Sequence, residues 1–389
     1  MKKNDLKWIL PFGFIFLLLA FQACRKIEIV VPTEYEIIRD TLSAETNYRG
    51  MYLVNEGNMG SNKCSLDYLD YINGYYIRNL YAERNPTVVM ELGDVGNDVQ
   101  VYGNKLYVVV NCSNKVEVMN ARTGKRIGQL DIPNCRYIRF YRGKAYVSSY
   151  VGPVQLNNPN AVNGAVYRVD TASLDIIDRI SVGYQPEEME VLGQYLYVAN
   201  SGGYRAPDYD RTVSVIELES FKQVRQIPVG INLHRIKADA YQKLWVSSRG
   251  NYQNIPSNLF VLEKKKGYND MVVTDTLDVP CSNLCIHGDS LYLYSTEWNN
   301  LSQENTVTYG IINVKTKKMV SRSFITDGTQ KDIKIPYGIL VHPETGDIYV
   351  TDAKNYVSSG MLYCYDRTGK RKWSVRTGDI PAQMTFLKK

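Results

Sequence analysis

The side chains of this sequence best suited to chemistry are aromatic and amide-bearing, and they fall between strand-like runs. Tyr150, Tyr204, Tyr209, Tyr252, Trp298 and Tyr356 could stack on flat groups. Asn58, Asn200, Asn251, Asn299 and Asn355, with Arg205 and Arg249, could hydrogen-bond amides or hydroxyls. Tyrosine is in excess, 31 residues against 9 Phe, and each joins a flat apolar face to a hydroxyl that wants a partner. The competing reading is structural: Asn builds turns and Tyr pads neighbouring loops. Signals for catalysis are weaker. No Gly-x-Ser-x-Gly elbow, His-Glu-x-x-His pair or glycine-rich phosphate loop occurs, so no enzyme is expected. Asp98, Glu187, Glu188, His234 and Arg235 sit at strand starts, where carboxylates and a histidine can converge on a metal; Glu187 and Glu188 are the best of these for an enzyme. Such carboxylates more often cap strands or join ion pairs. Cys281 and Cys285 lack a second pair at zinc spacing and the three His are scattered, so no metal site is expected.

The elements that must carry these residues repeat. "MYLVNEG" from Met51, "KLYVVVN" from Lys105, "KAYVSSY" from Lys144, "YLYVANS" from Tyr195, "KLWVSSR" from Lys243, "SLYLYST" from Ser290 and "DIYVTDA" from Asp347 are seven versions of one strand. Their aromatic positions, Tyr52, Tyr107, Tyr146, Tyr197, Trp245, Tyr292 and Tyr349, are 39 to 57 residues apart, the length of a four-stranded unit. A second alternating run follows each, as in "KVEVMNARTGK" from Lys115 or "MLYCYDRTGK" from Met361, then a turn and an outer strand. The expected order is inner, aromatic, alternating, outer. The Tyr52 strand has no inner partner before it, whereas the run from Gly378 to the C-terminus is an inner strand with no aromatic strand after it. The two should pair and close a ring, removing two open edges. The fold class is thus all-β, a seven-bladed β-propeller over residues 45–389. Loops leaving the aromatic strands are long after Ser149, Asn200, Ser247 and Ser295 and should gather on one face, where function concentrates.

Net charge is +6 over 389 residues, too mild to imply a nucleic-acid partner. The run Lys264, Lys265 and Lys266 reads as a solvated hairpin turn. Lys2, Lys3 and Lys7 precede an apolar stretch from Trp8 to Phe21, the layout of a secretory signal over residues 1–23, with an uncleaved anchor as the alternative. Either way the body lies outside the cytoplasm. Residues 24–44 are polar, mixed and without a clear period, as a tether would be. Export permits disulfides among Cys64, Cys112, Cys135, Cys281, Cys285 and Cys364; Cys112 with Cys135 is the first candidate pair, against six buried thiols.

Three resemblances follow from these motifs. "LLLAFQAC" resembles a bacterial lipobox, which implies lipidation of Cys24 after cleavage at Ala23, although Phe21 and Gln22 depart from the usual small or aliphatic choices. "YVAN" at Tyr197 and "YVTD" at Tyr349 resemble the Tyr-Val-Thr-Asn repeat propellers, extracytoplasmic and seven-bladed. With the "LVNEGNMGSN" opening, the chain is similar to surface lipoproteins of Bacteroidetes, among them propellers that bind cobalamin over a TonB-dependent corrinoid transporter. That resemblance implies a corrinoid ligand, no required cofactor, an outer-membrane lipid anchor at the cell surface or on the periplasmic face, and delivery to the transporter. A lactonase or lyase on the same scaffold and a protein-interaction module are the alternatives.

Overall fold

A computed structural model describes residues 32–38, 46–88, 92–158, 160–265, 270–299 and 304–389; Cys24 and the expected signal lie outside them. The first blade holds β1 (Glu34–Ile37), β2 (Tyr48–Asn55), β3 (Ser65–Asp70) and β4 (Tyr75–Arg78), followed by a single helical turn, α1 (Leu80–Arg84). The second has β5 (Gly96–Tyr102), β6 (Lys105–Val110), β7 (Lys115–Asn120) and β8 (Arg126–Asp131), and the third β9 (Cys135–Tyr141), β10 (Lys144–Ser149), β11 (Ala165–Asp170) and β12 (Ile176–Ser181). The fourth has β13 (Pro186–Leu192), β14 (Tyr195–Asn200), β15 (Thr212–Glu217) and β16 (Lys222–Pro228), and the fifth β17 (Leu233–Ala238), β18 (Leu244–Ser248), β19 (Asn258–Lys264) and β20 (Met271–Leu277). The sixth has β21 (Asn283–His287), β22 (Ser290–Asn299), β23 (Glu304–Asn313) and β24 (Lys318–Ser321), and the seventh β25 (Pro336–Val341), β26 (Ile348–Asp352), β27 (Ser359–Tyr365) and β28 (Arg371–Asp379). The chain ends in β29 (Pro381–Lys388), which pairs antiparallel with β2 and so completes the first blade as its inner strand. The fold is a seven-bladed propeller closed by its last strand.

The repeated aromatic residue explains the ring. Tyr52, Tyr107, Tyr146, Tyr197, Trp245 and Tyr349 are buried in the wedges between blades; Tyr292 is half-buried. Two of them also tie neighbouring blades: Tyr52 donates to the Ala121 carbonyl of the second blade (2.7 Å) and Tyr349 bonds Tyr71 of the first (2.8 Å). The ring fills the wedge at every position, and at these two its hydroxyl ties it as well.

Three expectations need correction. The tether span contains β1, a fifth strand on the outer edge of the first blade, with Arg78 of β4 paired to Glu34 (3.0 Å) and Glu36 (2.8 Å). Its alternation, Tyr35 and Ile37 against Glu34 and Glu36, is a four-residue signal too short to stand out. The stretch after Ser295 is not an open loop either, since β22 and β23 stay paired as far as Asn299 and Glu304, where β-branched Thr306, Val307 and Thr308 favour an extended chain. The candidate Cys112–Cys135 disulfide is also absent: all six described cysteines are free thiols, and Cys135 Sγ instead faces the Lys115 carbonyl (3.2 Å). Lys264 ends β19 in a hairpin, while Lys266 lies outside the described residues.

Candidate functional site

Each inner strand begins at the face where the aromatic strand ends. Register breaks there, between Val147 and Ser149 in the third blade, between Pro186 and Met189 in the fourth, between Leu233 and Ile236 in the fifth and between Pro336 and Ile339 in the seventh. A bulge leaves a backbone N–H without its ladder partner and re-aims the side chains beside it. The hydroxyl after the Tyr-Val or Trp-Val pair takes up that N–H: Ser148 accepts from Tyr137, Ser247 from Arg235 (both 3.1 Å) and Thr351 from Gly338 (2.7 Å). Ser148 and Thr351 also donate to the next blade's inner strand, at the carbonyls of Glu187 (3.0 Å) and Pro381 (2.6 Å). The repeat motif therefore sets where the inner strands point.

The second residues of these strands, Arg136, Glu187, His234 and Tyr337, form a polar mouth with residues from the loops. Glu187 Oε1 accepts from the Tyr150 hydroxyl (2.7 Å) and Arg249 (3.1 Å), and Oε2 from Arg136 (3.0 Å). Burial opposes its charge, yet Arg136, Arg249 and Tyr150 prevail and hold the carboxyl down at about 2. Glu56, just past β2, behaves oppositely. Burial pushes it up to about 7 despite a hydrogen bond from Tyr337 (2.8 Å) and the pull of Arg136 and Arg235. His234 is driven well below its ordinary value by burial and by Arg249, Arg235 and Arg136, so it is neutral at neutral pH.

Below the mouth, carboxylates tie blades together. Asp98 accepts from the Ile138 N–H (3.1 Å) and Arg139 (2.9 Å). Glu188 accepts from the Ile236 N–H (3.0 Å), Arg139 (2.7 Å) and Lys237 (2.6 Å). Glu188 and Asp98 are thus cross-blade staples, and Glu187 is a saturated ion pair; none is free to act as a base. Among the described residues no three His, Cys, Asp or Glu gather as metal ligands would.

Three exposed loop tyrosines border this mouth: Tyr204 against Tyr150, Tyr356 against Tyr337, and Tyr252 near Arg249. Tyr204 and Tyr356 are each 40% exposed, Trp298 56% and Tyr252 73%. Tyr150 is buried, under Arg136 (5.0 Å from its ring) and edge-on to Tyr204 (6.4 Å between centroids). Tyr209 is half-buried, its hydroxyl pushed up by burial and by Tyr252. Arg205 lies over the Tyr184 ring (3.7 Å) and donates to the Asp208 carbonyl (2.8 Å).

The asparagines divide by role. Asn251 Oδ1 accepts from the N–H groups of Gln253, Asn254 and Ile255 (2.8–3.1 Å), and Asn355 Oδ1 from those of Val357 and Ser358 (2.9–3.1 Å). In both, the next residue is a tyrosine in the left-handed region, Tyr252 at φ 59° and Tyr356 at φ 62°. A bulky residue there is strained, and here the Asn-closed turn enforces it and turns the ring outward. Asn58 donates to the Tyr356 carbonyl and so braces that display. Asn200 is fully buried and donates to Thr212 (3.0 Å) and Ser214 (2.9 Å), away from the loop face. Asn299 ends β22, and its side chain lies outside the described part. Asn251, Asn355 and Asn58 are therefore scaffolding for the tyrosines. Residues missed by sequence reasoning are Glu56, Arg136, Tyr137 and Tyr337; aligning the second and third positions of the inner strands picks out the last three.

The sequence matches, over residues 49–385, the family described as a domain of unknown function (DUF5074). The chain belongs to that family. No curated protein matches it significantly. Among solved structures, this DUF5074 chain is similar to the periplasmic gluconolactonase of Pseudomonas aeruginosa, with 13% identity, TM-score 0.57, and coverage of 87% of this chain and 99% of that one. It is also similar to Kuenenia stuttgartiensis hydrazine synthase, with 17% identity, TM-score 0.56, and coverage of 70% and 76%. A third similar structure is a quinonprotein alcohol dehydrogenase-like protein of Bacteroides thetaiotaomicron VPI-5482, with 13% identity, TM-score 0.55, and coverage of 88% and 79%. At such identities the likeness is one of fold, which hosts many unrelated activities.

Proposed function

We propose that this DUF5074 propeller is a non-enzymatic capture protein whose loop face takes a large polar-aromatic ligand, a corrinoid by preference. It is lipidated at Cys24, sits on the outer membrane at the cell surface, and hands its ligand to a TonB-dependent transporter. One observation supports the reading: Tyr204 and Tyr356 stand exposed against the mouth residues Tyr150 and Tyr337, and Tyr252 stands exposed near Arg249. Exposed rings held by a rigid scaffold give contact area at little entropic cost. The resemblance to Tyr-Val-Thr-Asn repeat propellers and Bacteroidetes surface lipoproteins supplies the ligand and partner. The test is colour: the protein mixed with cobalamin and desalted elutes red if the reading holds, and colourless if it does not.

A lactonase-type enzyme is the second reading, favoured by Glu56, whose proton affinity near neutrality suits general acid–base work beside Tyr337. Turnover of a lactone that Glu56→Gln abolishes would select it.

A further inference from the structure

The extra strand β1 decides from which face of the ring the N-terminal segment departs. It runs antiparallel to β4, with Glu34 opposite Arg78 and Ile37 opposite Tyr75. β4 runs antiparallel to β3, and β3 to β2, whose last residue, Asn55, lies at the loop face. β1 therefore starts at the loop-face end of the first blade and descends toward the opposite face, the one at which β2 begins. The described chain opens at Pro32, just before β1, so the segment that precedes it leaves the propeller beside the loop face.

Several contacts hold β1 in place. Arg78 donates to Glu34 through Nε (3.1 Å) and Nη2 (3.0 Å), and to Glu36 through Nη1 (2.8 Å). Tyr35 lies against Tyr75, with ring centroids 5.1 Å apart. Ile38 is buried in one cluster with Leu69 and Tyr76, and its N–H donates to the Gly74 carbonyl (2.9 Å). Strand alternation turns the Glu36 N–H to the same side, toward β4. Held this way, the stretch from Cys24 to Pro32 spans at most about 30 Å from the loop-face rim. Released, the chain would leave at Thr46 on the opposite face, with a reach of about 75 Å. An eight-residue strand such as β2 makes the blade about 25 Å tall. Laying the opposite face on the anchoring membrane therefore requires the short stretch to be drawn almost straight down the blade, at an entropic cost that laying the loop face there avoids.

We infer that β1 is a clasp that turns the loop face, with its mouth and exposed tyrosines, toward the membrane holding the N-terminal anchor, so that the partner this face fits is one embedded in that membrane. The inference rests on the lipid anchor at Cys24 proposed above and adds to it the direction in which the mouth points. Opening the clasp moves the point of attachment to the opposite face and lengthens the tether, which frees the mouth to turn away.

The test is energy transfer from the lipidated protein to acceptor-labelled headgroups in phosphatidylethanolamine–phosphatidylglycerol vesicles. The donor dye is attached through Met59→Cys on the loop face or Ile72→Cys on the opposite face of the same blade, both exposed, and labelling of the half-buried Cys112 and Cys285 is subtracted with the unsubstituted protein. Transfer should be roughly twofold or more faster from the Met59 position, because the faces lie about 25 Å apart. Glu36→Pro removes a ladder donor and an Arg78 partner from an edge outside the ring and should abolish the difference, whereas Glu36→Gln should keep it. Inserting about 20 Gly and Ser residues between Cys24 and Pro32 should also abolish it while leaving the fold untouched. Equal transfer from both positions, faster transfer from the Ile72 position, or a difference that survives Glu36→Pro in a folded protein overturns the inference. If Glu36→Pro does not fold, the insertion decides: loss of the difference supports the clasp, and survival overturns it. A hexahistidine tag replacing residues 1–24 and bound to a nickel-chelating lipid separates the clasp from the anchor. A difference there, with native protein that does not float with vesicles, rejects the anchor and keeps the clasp; flotation of native protein without a difference does the reverse.

Discussion

Replacing Tyr252 separates display from stability. Its φ of 59° places a side-chain-bearing residue where left-handed backbone costs about 1–2 kcal/mol. Glycine escapes that cost but loses about 0.5–1 kcal/mol relative to alanine through its freer unfolded chain. The difference leaves Tyr252→Gly more stable than Tyr252→Ala by roughly 0.5–1 kcal/mol, the reverse of their usual order. Removing the ring itself contributes little to folding in either variant, since it is 73% exposed. For a domain of this size the gap is about 1–3 °C in melting temperature, which differential scanning fluorimetry resolves. Both variants should lose ligand affinity equally, having lost the same ring. If the alanine variant is as stable as the glycine variant, Asn251 does not hold a strained tyrosine at the rim.

Further outcomes follow from the same contacts. Trp245→Ala opens a cavity between blades at a fully buried side chain and should cost about 3–5 kcal/mol in urea unfolding. Glu187→Gln strands Arg136 and Arg249 in the mouth and should cost roughly 3 kcal/mol, read the same way. The two mouth carboxyls have opposite pH signatures. Glu187 titrates lower in the fold than in the unfolded chain, so its contribution is full above about pH 4.5 and fades as pH falls toward 2. Glu56 titrates higher in the fold, so its contribution is full below about pH 4.5 and is lost as pH rises through 7. Glu56→Gln should therefore flatten the stability profile between pH 5 and 8, measured by urea midpoints, and leave the acid limb intact.

The ring was legible because its signals are long-range and redundant. Seven aromatic strands and the unmatched ends at Tyr52 and Gly378 are enough to close a propeller. The mouth was less so. Strict strand alternation sends Glu187 and Glu188 to opposite faces, whereas the bulge after Pro186 leaves Glu187 in the mouth and Glu188 bound to two neighbouring blades. Nothing local announces a bulge until the strand is paired. Asn200 reads as a loop residue by its position before Gly202 and Gly203, but β15 presents Thr212 and Ser214 to its amide and draws it inward. Asn251 and Asn355 were legible as turn builders, and their left-handed tyrosines were not, because turn chemistry outbids the backbone preference of a bulky residue only when the closing hydrogen bonds form.

Amide hydrogen exchange with and without cobalamin locates any capture surface directly. Protection should appear in the loops after β10, β14, β18 and β26, around Tyr150, Tyr204, Tyr252 and Tyr356, with the hairpins of the opposite face unchanged. Protection on that opposite face, or none anywhere, would contradict capture at the loop face.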